Sequence, residues 1–212
     1  MHEASMSVTV LSLLVAYLLG ALPGSYLAAR WAGYDLYQLG DGNIGAHNVM
    51  RHVGRGWGGL ALVIDAGKGA LAVLVALLLS DAVWLPVVAG WAAVLGHNYP
   101  LWLAFRGGKG LATGLGVVLM LFPRLVWLTI GGALLLIALT KNLAFSGAAI
   151  AVLLAVAAWL ADYPLWYIVA PLGILTLLAW KQLPDLRRMW KAAPSKRELI
   201  LHRWIRDREA KL

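Results

Sequence analysis

Seven apolar runs divide this chain, at about 6–29, 57–79, 83–97, 110–122, 125–140, 143–161 and 163–180, and most charged residues fall in the joints between them. The pattern predicts an all-α integral membrane protein with about seven transmembrane helices. Several runs are nearer 15 than 20 residues, short for a hydrocarbon core ~30 Å thick at about 1.5 Å of rise per residue. Either short helices thin the bilayer locally, giving seven crossings, or some segments are re-entrant, giving five. Glycines recur inside the runs, as in Gly20-xxx-Gly24 and Gly110-xxx-Gly114, a spacing that lets helices pack closely through small residues. Trp84, Trp102, Trp166 and Trp180 fall near run ends, where amphipathic rings suit the membrane–water interface.

The joints differ in charge. With the N-terminus outside, seven crossings place Arg30, Arg51, Arg55, Arg106, Lys109, Lys141 and the basic tail inside. The outer side receives Glu3, Asp81, Asp162 and one cation, Arg124. This split obeys the positive-inside rule and sets every glycine-rich loop on the cytoplasmic face. From Lys181 to Leu212 the chain carries ten Lys or Arg against four Asp or Glu, a local net of +6. On a membrane chain such an end is a cytoplasmic flank in contact with lipid headgroups, not a nucleic-acid site. The division expected is a membrane domain over 1–181 and a basic tail over 182–212. In that tail Ser195-Lys196-Arg197-Glu198 forms a capping box ahead of an amphipathic interfacial helix. Residues 1–7 lack a basic stretch and include Glu3, so the first run is expected to be a retained span.

Composition agrees with the pattern: 212 residues, 61% apolar, 13% charged, mean hydropathy +0.76 and no cysteine. Thiol chemistry and disulfides are excluded. The histidines are scattered and no carboxylate pair has ligand spacing, so no metal site is expected.

Two glycine-rich basic tracts hold the candidate chemistry: Gly40-Asp41-Gly42-Asn43-Ile44-Gly45-Ala46-His47-Asn48-Val49-Met50-Arg51, and Gly107-Gly108-Lys109-Gly110. Glycine lets backbone N–H groups approach an anion, and the cations supply countercharge, Arg in bidentate fashion. The first tract also fits G-x-G-x-x-G, with Asp65 twenty residues beyond Gly45. A dinucleotide site would need a preceding strand, and Asp65 falls within an apolar run, so that reading fails. Asp65 and Lys68 lie one helical turn apart inside a span. They are either a neutralised structural pair or a fixed cation whose orientation Asp65 controls. His97 ends its run a few residues before two cations that straddle paired glycines, where it is either structural or a hydrogen-bonding and proton-transfer group. Lys141, Asn142 and Ser146 cluster at another inner end and either add donors to the site or merely flank it. The chain lacks a Gly-x-Ser-x-Gly elbow and any His followed four residues later by Asp. Acyl transfer here would need an already activated donor, with the protein positioning anions and stabilising charge.

Five tracts, in order and spacing over about residues 8–150, resemble the bacterial acyl-phosphate-dependent glycerol-3-phosphate acyltransferases of the inner membrane. They are Gly20-Ala21-Leu22-Pro23-Gly24-Ser25-Tyr26-Leu27, the 42–51 tract, Asp65-Ala66-Gly67-Lys68-Gly69, Gly96-His97-Asn98-Tyr99-Pro100, and the 105–113 tract from Phe105 to Thr113. The resemblance implies seven spans with a site open to the cytoplasm. It implies transfer of a fatty acyl group from acyl phosphate to the 1-hydroxyl of sn-glycerol 3-phosphate, giving lysophosphatidic acid and phosphate without a cofactor. It assigns phosphate binding to Asn43, Asn48, Arg51 and Lys109. Three departures stand out. Asp41 replaces a family Ser, where it would repel a dianion unless it serves as the base. His47 replaces a Thr. Gln182-Leu183-Pro184-Asp185-Leu186-Arg187-Arg188 lacks the His and Asn of the family's C-terminal motif. The altered stretch from Gln182 to Asp185 motivates an alternative, a catalytically altered relative that binds or transports a phosphorylated lipid precursor. The candidate catalytic residues are Asp41, His97 and Lys109. The candidate phosphate and substrate ligands are Gly42, Asn43, Gly45, Asn48, Arg51, Lys68, Gly107, Gly108, Lys109 and Ser146. The partners expected are the two substrates and membrane lipids.

Overall fold

A computed structural model describes residues 4–192. Helices cover all seven apolar runs, and no strand occurs among the described residues. The chain is an all-α membrane protein. Four helical stretches are long and apolar enough to cross a bilayer: Met6–Trp31, Arg55–Leu79, Leu143–Leu160 and Leu165–Lys191. The remaining three apolar helices have 14, 11 and 15 residues.

The contacts divide the chain into two compact units, Met1–Phe122 and Pro123–Leu212, whereas the pattern placed 1–181 in one domain. The first unit comprises α1 (Met6–Ala21), α2 (Gly24–Trp31), α3 (Ala46–His52), α4 (Arg55–Leu79), α5 (Leu85–Asn98) and α6 (Leu111–Leu121). The first run, expected over 6–29 as one helix, is broken at Leu22-Pro23. Pro23 has no N–H to continue the ladder, and the residue before a proline is driven to extended geometry; Leu22 has φ −57° and ψ 123°. The short helix α3, inside the first glycine-rich tract, is absent from the predicted elements because seven residues carry too little hydrophobic signal.

α4 is the hub of this unit, packing against α1, α2, α3, α5 and α6. Glycine permits the closest of these approaches. A Cβ on Gly69 of α4 would lie 2.2 Å from the Thr113 carbonyl oxygen of α6, and one on Gly116 would lie 1.8 Å from that of Ala66. α1 and α5 touch in the same reciprocal way at Gly20 and Gly96. Gly20 and Gly24 therefore serve different contacts, Gly24 facing Ile64 and Asp65 from the far side of the helix break.

The second unit contains α7 (Val126–Thr140), α8 (Leu143–Leu160) and α9 (Leu165–Ala192), with α8 packed against both of its neighbours. The turn from α7 to α8 places Lys141 at φ 53°, and Asn142 caps α8 by accepting from the Phe145 N–H at 2.9 Å. α9 continues to Ala192, past the expected end of the run at 180, and crosses the expected 181/182 boundary without a break. The capping box at 195–198 and the interfacial helix after it lie outside the described residues.

Candidate active site

Chain direction alone brings the two glycine-rich tracts to one end of the first unit. α4 and α5 run as an antiparallel pair joined at 80–84, so the 14-residue α5 ends level with Asp65, midway along the 25-residue α4, and points toward the same side as the start of α4. The loop before α3 and the loop after α5 thus emerge on the same side, together with Arg30, Arg51, Arg55, Arg106 and Lys109. Asp81 lies at the opposite end.

At that end the loops meet backbone to backbone. A Cβ on Gly108 would sit 2.2 Å from the Ile44 carbonyl oxygen and 2.3 Å from His97 Nε2, so only glycine fits between the first loop and the end of α5. Lys109, the next residue, donates through Nζ to Asp41 Oδ2 at 3.2 Å. Burial alone would raise the Asp41 carboxyl, but the Lys109 charge and the Asn43 N–H outweigh it and hold the group below its ordinary value. Both side chains keep contact with solvent, 57% for Asp41 and 30% for Lys109. α6 starts two residues further on with no side-chain cap, leaving its first amide N–H groups directed at this end. Arg51 sits five residues along α3, about 8 Å of helix rise from where the loop ends.

An aromatic ladder that spacing does not reveal ties the loops together. The Arg106 guanidinium stacks 5.0 Å over the Tyr37 ring, whose hydroxyl donates to the Arg106 carbonyl. Tyr37 packs on Tyr26, and Arg30 lies over Tyr26 at 5.7 Å. Arg106 is thereby committed to holding the second loop to the first.

Beneath the loops, Asp65 is fully buried midway along α4. It accepts from Ser25 Oγ of α2, pairs with Lys68 Nζ at 2.9 Å and faces His97 Nδ1 of α5 at 3.7 Å. Lys68 also donates to the Leu22 carbonyl at 2.6 Å, which accepts the Gly24 N–H as well at the Pro23 break. A small cavity of about 10 Å³ opens beside this network, bounded by Pro23, Ile44, Lys68, His97 and Gly107 among others.

The predicted residues divide accordingly. Asp41, Gly42, Asn43, Gly45, Gly107, Gly108 and Lys109 gather at the loop contact, with Arg51 on the adjoining helix. Asn48, expected as a phosphate ligand, is buried and donates both amide protons inward, to the Leu39 and Asn43 carbonyls. Lys68, expected on phosphate, is likewise turned inward, onto Asp65 and Leu22. In both cases a buried donor has found a nearer acceptor. Ser146 belongs to the second unit, where its hydroxyl shares a hydrogen bond with Thr140 Oγ1 at 3.0 Å. Neither Ser25, although it lies in the first family tract, nor Tyr37 was singled out as a site residue, because neither carries a charge that would distinguish it. Among the described residues, no cluster of three or more His, Asp or Glu side chains has the geometry to hold a metal ion.

Comparison with known proteins yields one consistent group. The profile of the family described as glycerol-3-phosphate acyltransferase matches residues 10–192. Glycerol-3-phosphate acyltransferase 1 of Dehalococcoides mccartyi is 36% identical over 206 residues, 92% of this chain and 98% of that one. Glycerol-3-phosphate acyltransferase of Thermus thermophilus is 38% identical over 187 residues, 87% of this chain and 92% of its own. The crystal structure of PlsY (YgiH), an integral membrane glycerol 3-phosphate acyltransferase in its glycerol 3-phosphate form, superposes with a TM-score of 0.77 at 29% identity. It covers 86% of this chain and 92% of that one. The lysophosphatidic acid form gives 0.76.

Proposed function

Since this chain belongs to the glycerol-3-phosphate acyltransferase family and is an acyltransferase of phospholipid synthesis, we propose that its donor is acyl phosphate and its acceptor the 1-hydroxyl of sn-glycerol 3-phosphate. The hydroxyl oxygen attacks the acyl carbonyl carbon and the bond from that carbon to the phosphate oxygen breaks. The hydroxyl proton passes to a phosphate oxygen, so lysophosphatidic acid and inorganic phosphate leave. An acyl phosphate is already activated, and the protein's task reduces to holding two anions together and stabilising charge on the leaving phosphate.

The observation that carries this reading is the glycine contact at Gly108, which sets Lys109 against the first loop. In the reading, Lys109 and Arg51 supply the cations, while Asn43 and the N–H groups around Gly42, Gly45, Gly107 and Gly108 supply oriented donors. Asp41 holds the Lys109 ammonium until a phosphate takes its place. A carboxyl held below its ordinary pKa is a weak base, which favours this part over proton abstraction. Asn48 shapes the first loop from inside and Lys68 closes the helix break. The basic end of the first unit faces the cytoplasm of a bacterial inner membrane, and the N-terminus lies outside.

The test is product formation by detergent-purified protein supplied with glycerol 3-phosphate and either acyl phosphate or acyl-CoA. Turnover with acyl phosphate alone is expected, abolished by Lys109→Ala and by Arg51→Ala. Wild-type rates in both variants would remove the proposed site, and binding of both substrates without product would favour the catalytically altered relative.

A further inference from the structure

Asp65 has no part in the chemistry above, yet three helices converge on it. α2 contributes the Ser25 hydroxyl, α4 the Lys68 ammonium one turn away, and α5 the His97 ring. A buried carboxylate within a span is costly, and neutralising Lys68 accounts for one of its contacts but not for the other two. The far side of the His97 ring explains more. While Nδ1 faces Asp65, Nε2 lies against Gly108, where an added Cβ would approach it to 2.3 Å. The end of α5 moulds the rest of the loop as well. The His97 carbonyl lies against Gly107, the Asn98 carbonyl accepts the Gly107 N–H at 3.3 Å, and Asn98 Oδ1 lies against Gly110. Lys109 is held between glycines whose positions the His97-Asn98 step defines.

We infer that Asp65 is a positioning residue for the acyl transfer: by fixing the His97 ring it sets the course of the 107–110 loop, and through that loop the place of the Lys109 ammonium. The inference rests on the reading of Lys109 as a phosphate ligand. It assigns Ser25 a supporting part, holding the second carboxylate oxygen so that the first stays on Lys68 and His97.

A double-mutant cycle tests it. Asp65→Asn combined with Lys68→Met removes both charges and leaves no unpaired ion in the core, which separates a positioning role from simple neutralisation of Lys68. This double variant is expected to raise KM for the phosphate substrates about ten-fold or more, with a smaller fall in kcat. In a His97→Gln background the same pair of changes should add less than about two-fold, because the route through the ring is already cut. Full activity in the double variant, or losses that multiply independently of His97, would overturn the inference. Should the double variant fail to fold, Ser25→Ala keeps both charges and decides the matter. It is expected to raise KM about three-fold in the wild-type background and not at all with His97→Gln. No effect, or an equal effect in both backgrounds, would overturn it. Lys109→Ala, measured alongside, keeps the two readings apart. If it is active, the phosphate-site reading fails; if it is inactive while the cycle is additive, only the part given to Asp65 fails.

Discussion

At the scale of single residues the site is governed by which polar groups are already satisfied. Asn48 and Lys68 have the chemistry of phosphate ligands, but each is buried beside carbonyl or carboxylate oxygens that claim its protons. Lys109 and Asp41 stay in contact with solvent, and an ion pair this exposed contributes under about 1 kcal/mol to stability. On the proposed reading, a ligand phosphate would therefore displace Asp41 at little cost. Asp41→Asn separates the two parts open to this residue. As the resident counterion of Lys109, its loss should lower KM for the phosphate substrates a few-fold and leave kcat near wild type; as the base, its loss should cut kcat by about 10²–10⁴. The folded-state pKa of Asp41 lies below its ordinary value of 3.8. Whatever stability the ionised group contributes is present above the unfolded-state value and is lost as pH falls through the folded one. Rate profiles between pH 6 and 9 are accordingly expected to be superimposable for wild type and Asp41→Asn, and a new inflection there would show that Asp41 titrates during turnover.

At the scale of elements, glycine placement decides which helices touch. Gly96 faces the Tyr17 carbonyl of α1, where a Cβ would lie at 2.2 Å, and backbone cannot yield as a side-chain tip does. Gly67, on the exposed face of α4, has nothing within 4 Å of the same construction. Gly96→Ala should thus cost about 1–3 kcal/mol by forcing α1 and α5 apart. Gly67→Ala should be neutral or gain up to about 1 kcal/mol from improved helix propensity. Thermal unfolding in detergent measures both, and equal shifts would mean that the helix contacts are not what these glycines serve. The Leu22-Pro23 break follows the same rule of satisfied groups. At the break the Leu22 carbonyl accepts the Gly24 N–H, and Lys68 reaches across from α4 to supply its second hydrogen bond.

For the molecule as a whole, the decisive feature is polarity of charge along the first unit. Its loop end carries Arg30, Arg51, Arg55, Arg106 and Lys109, while the 80–84 turn at the other end carries Asp81. The absence of cysteine makes this orientation directly measurable. In spheroplasts, a membrane-impermeant maleimide is expected to label Asp81→Cys but to label Tyr34→Cys only after the membrane is opened. The reverse pattern would place the site outside. The inward placement proposed for the cations would let a water-soluble phosphate ester and a lipid-like donor meet at one surface.

The sequence by itself determined the class of fold, the approximate places of the apolar helices and the two loops that carry the cations. Apolar runs and turn glycines are local signals, and the bilayer penalises any other backbone arrangement within them. Five ordered tracts were enough to place the family, and the comparisons bear that out. Only tertiary structure decided how the polar groups are shared out. Nothing in the spacing of Asp65, Ser25 and His97 shows that three helices bring them to one point, or that Lys68 serves a carbonyl 46 residues away. Nor does it show that a missing Cβ at Gly108 lets the Ile44 carbonyl and the His97 ring close on the Lys109 loop. Hydrogen-bond partners are chosen by proximity after packing, and packing here is set by contacts between residues far apart in the chain.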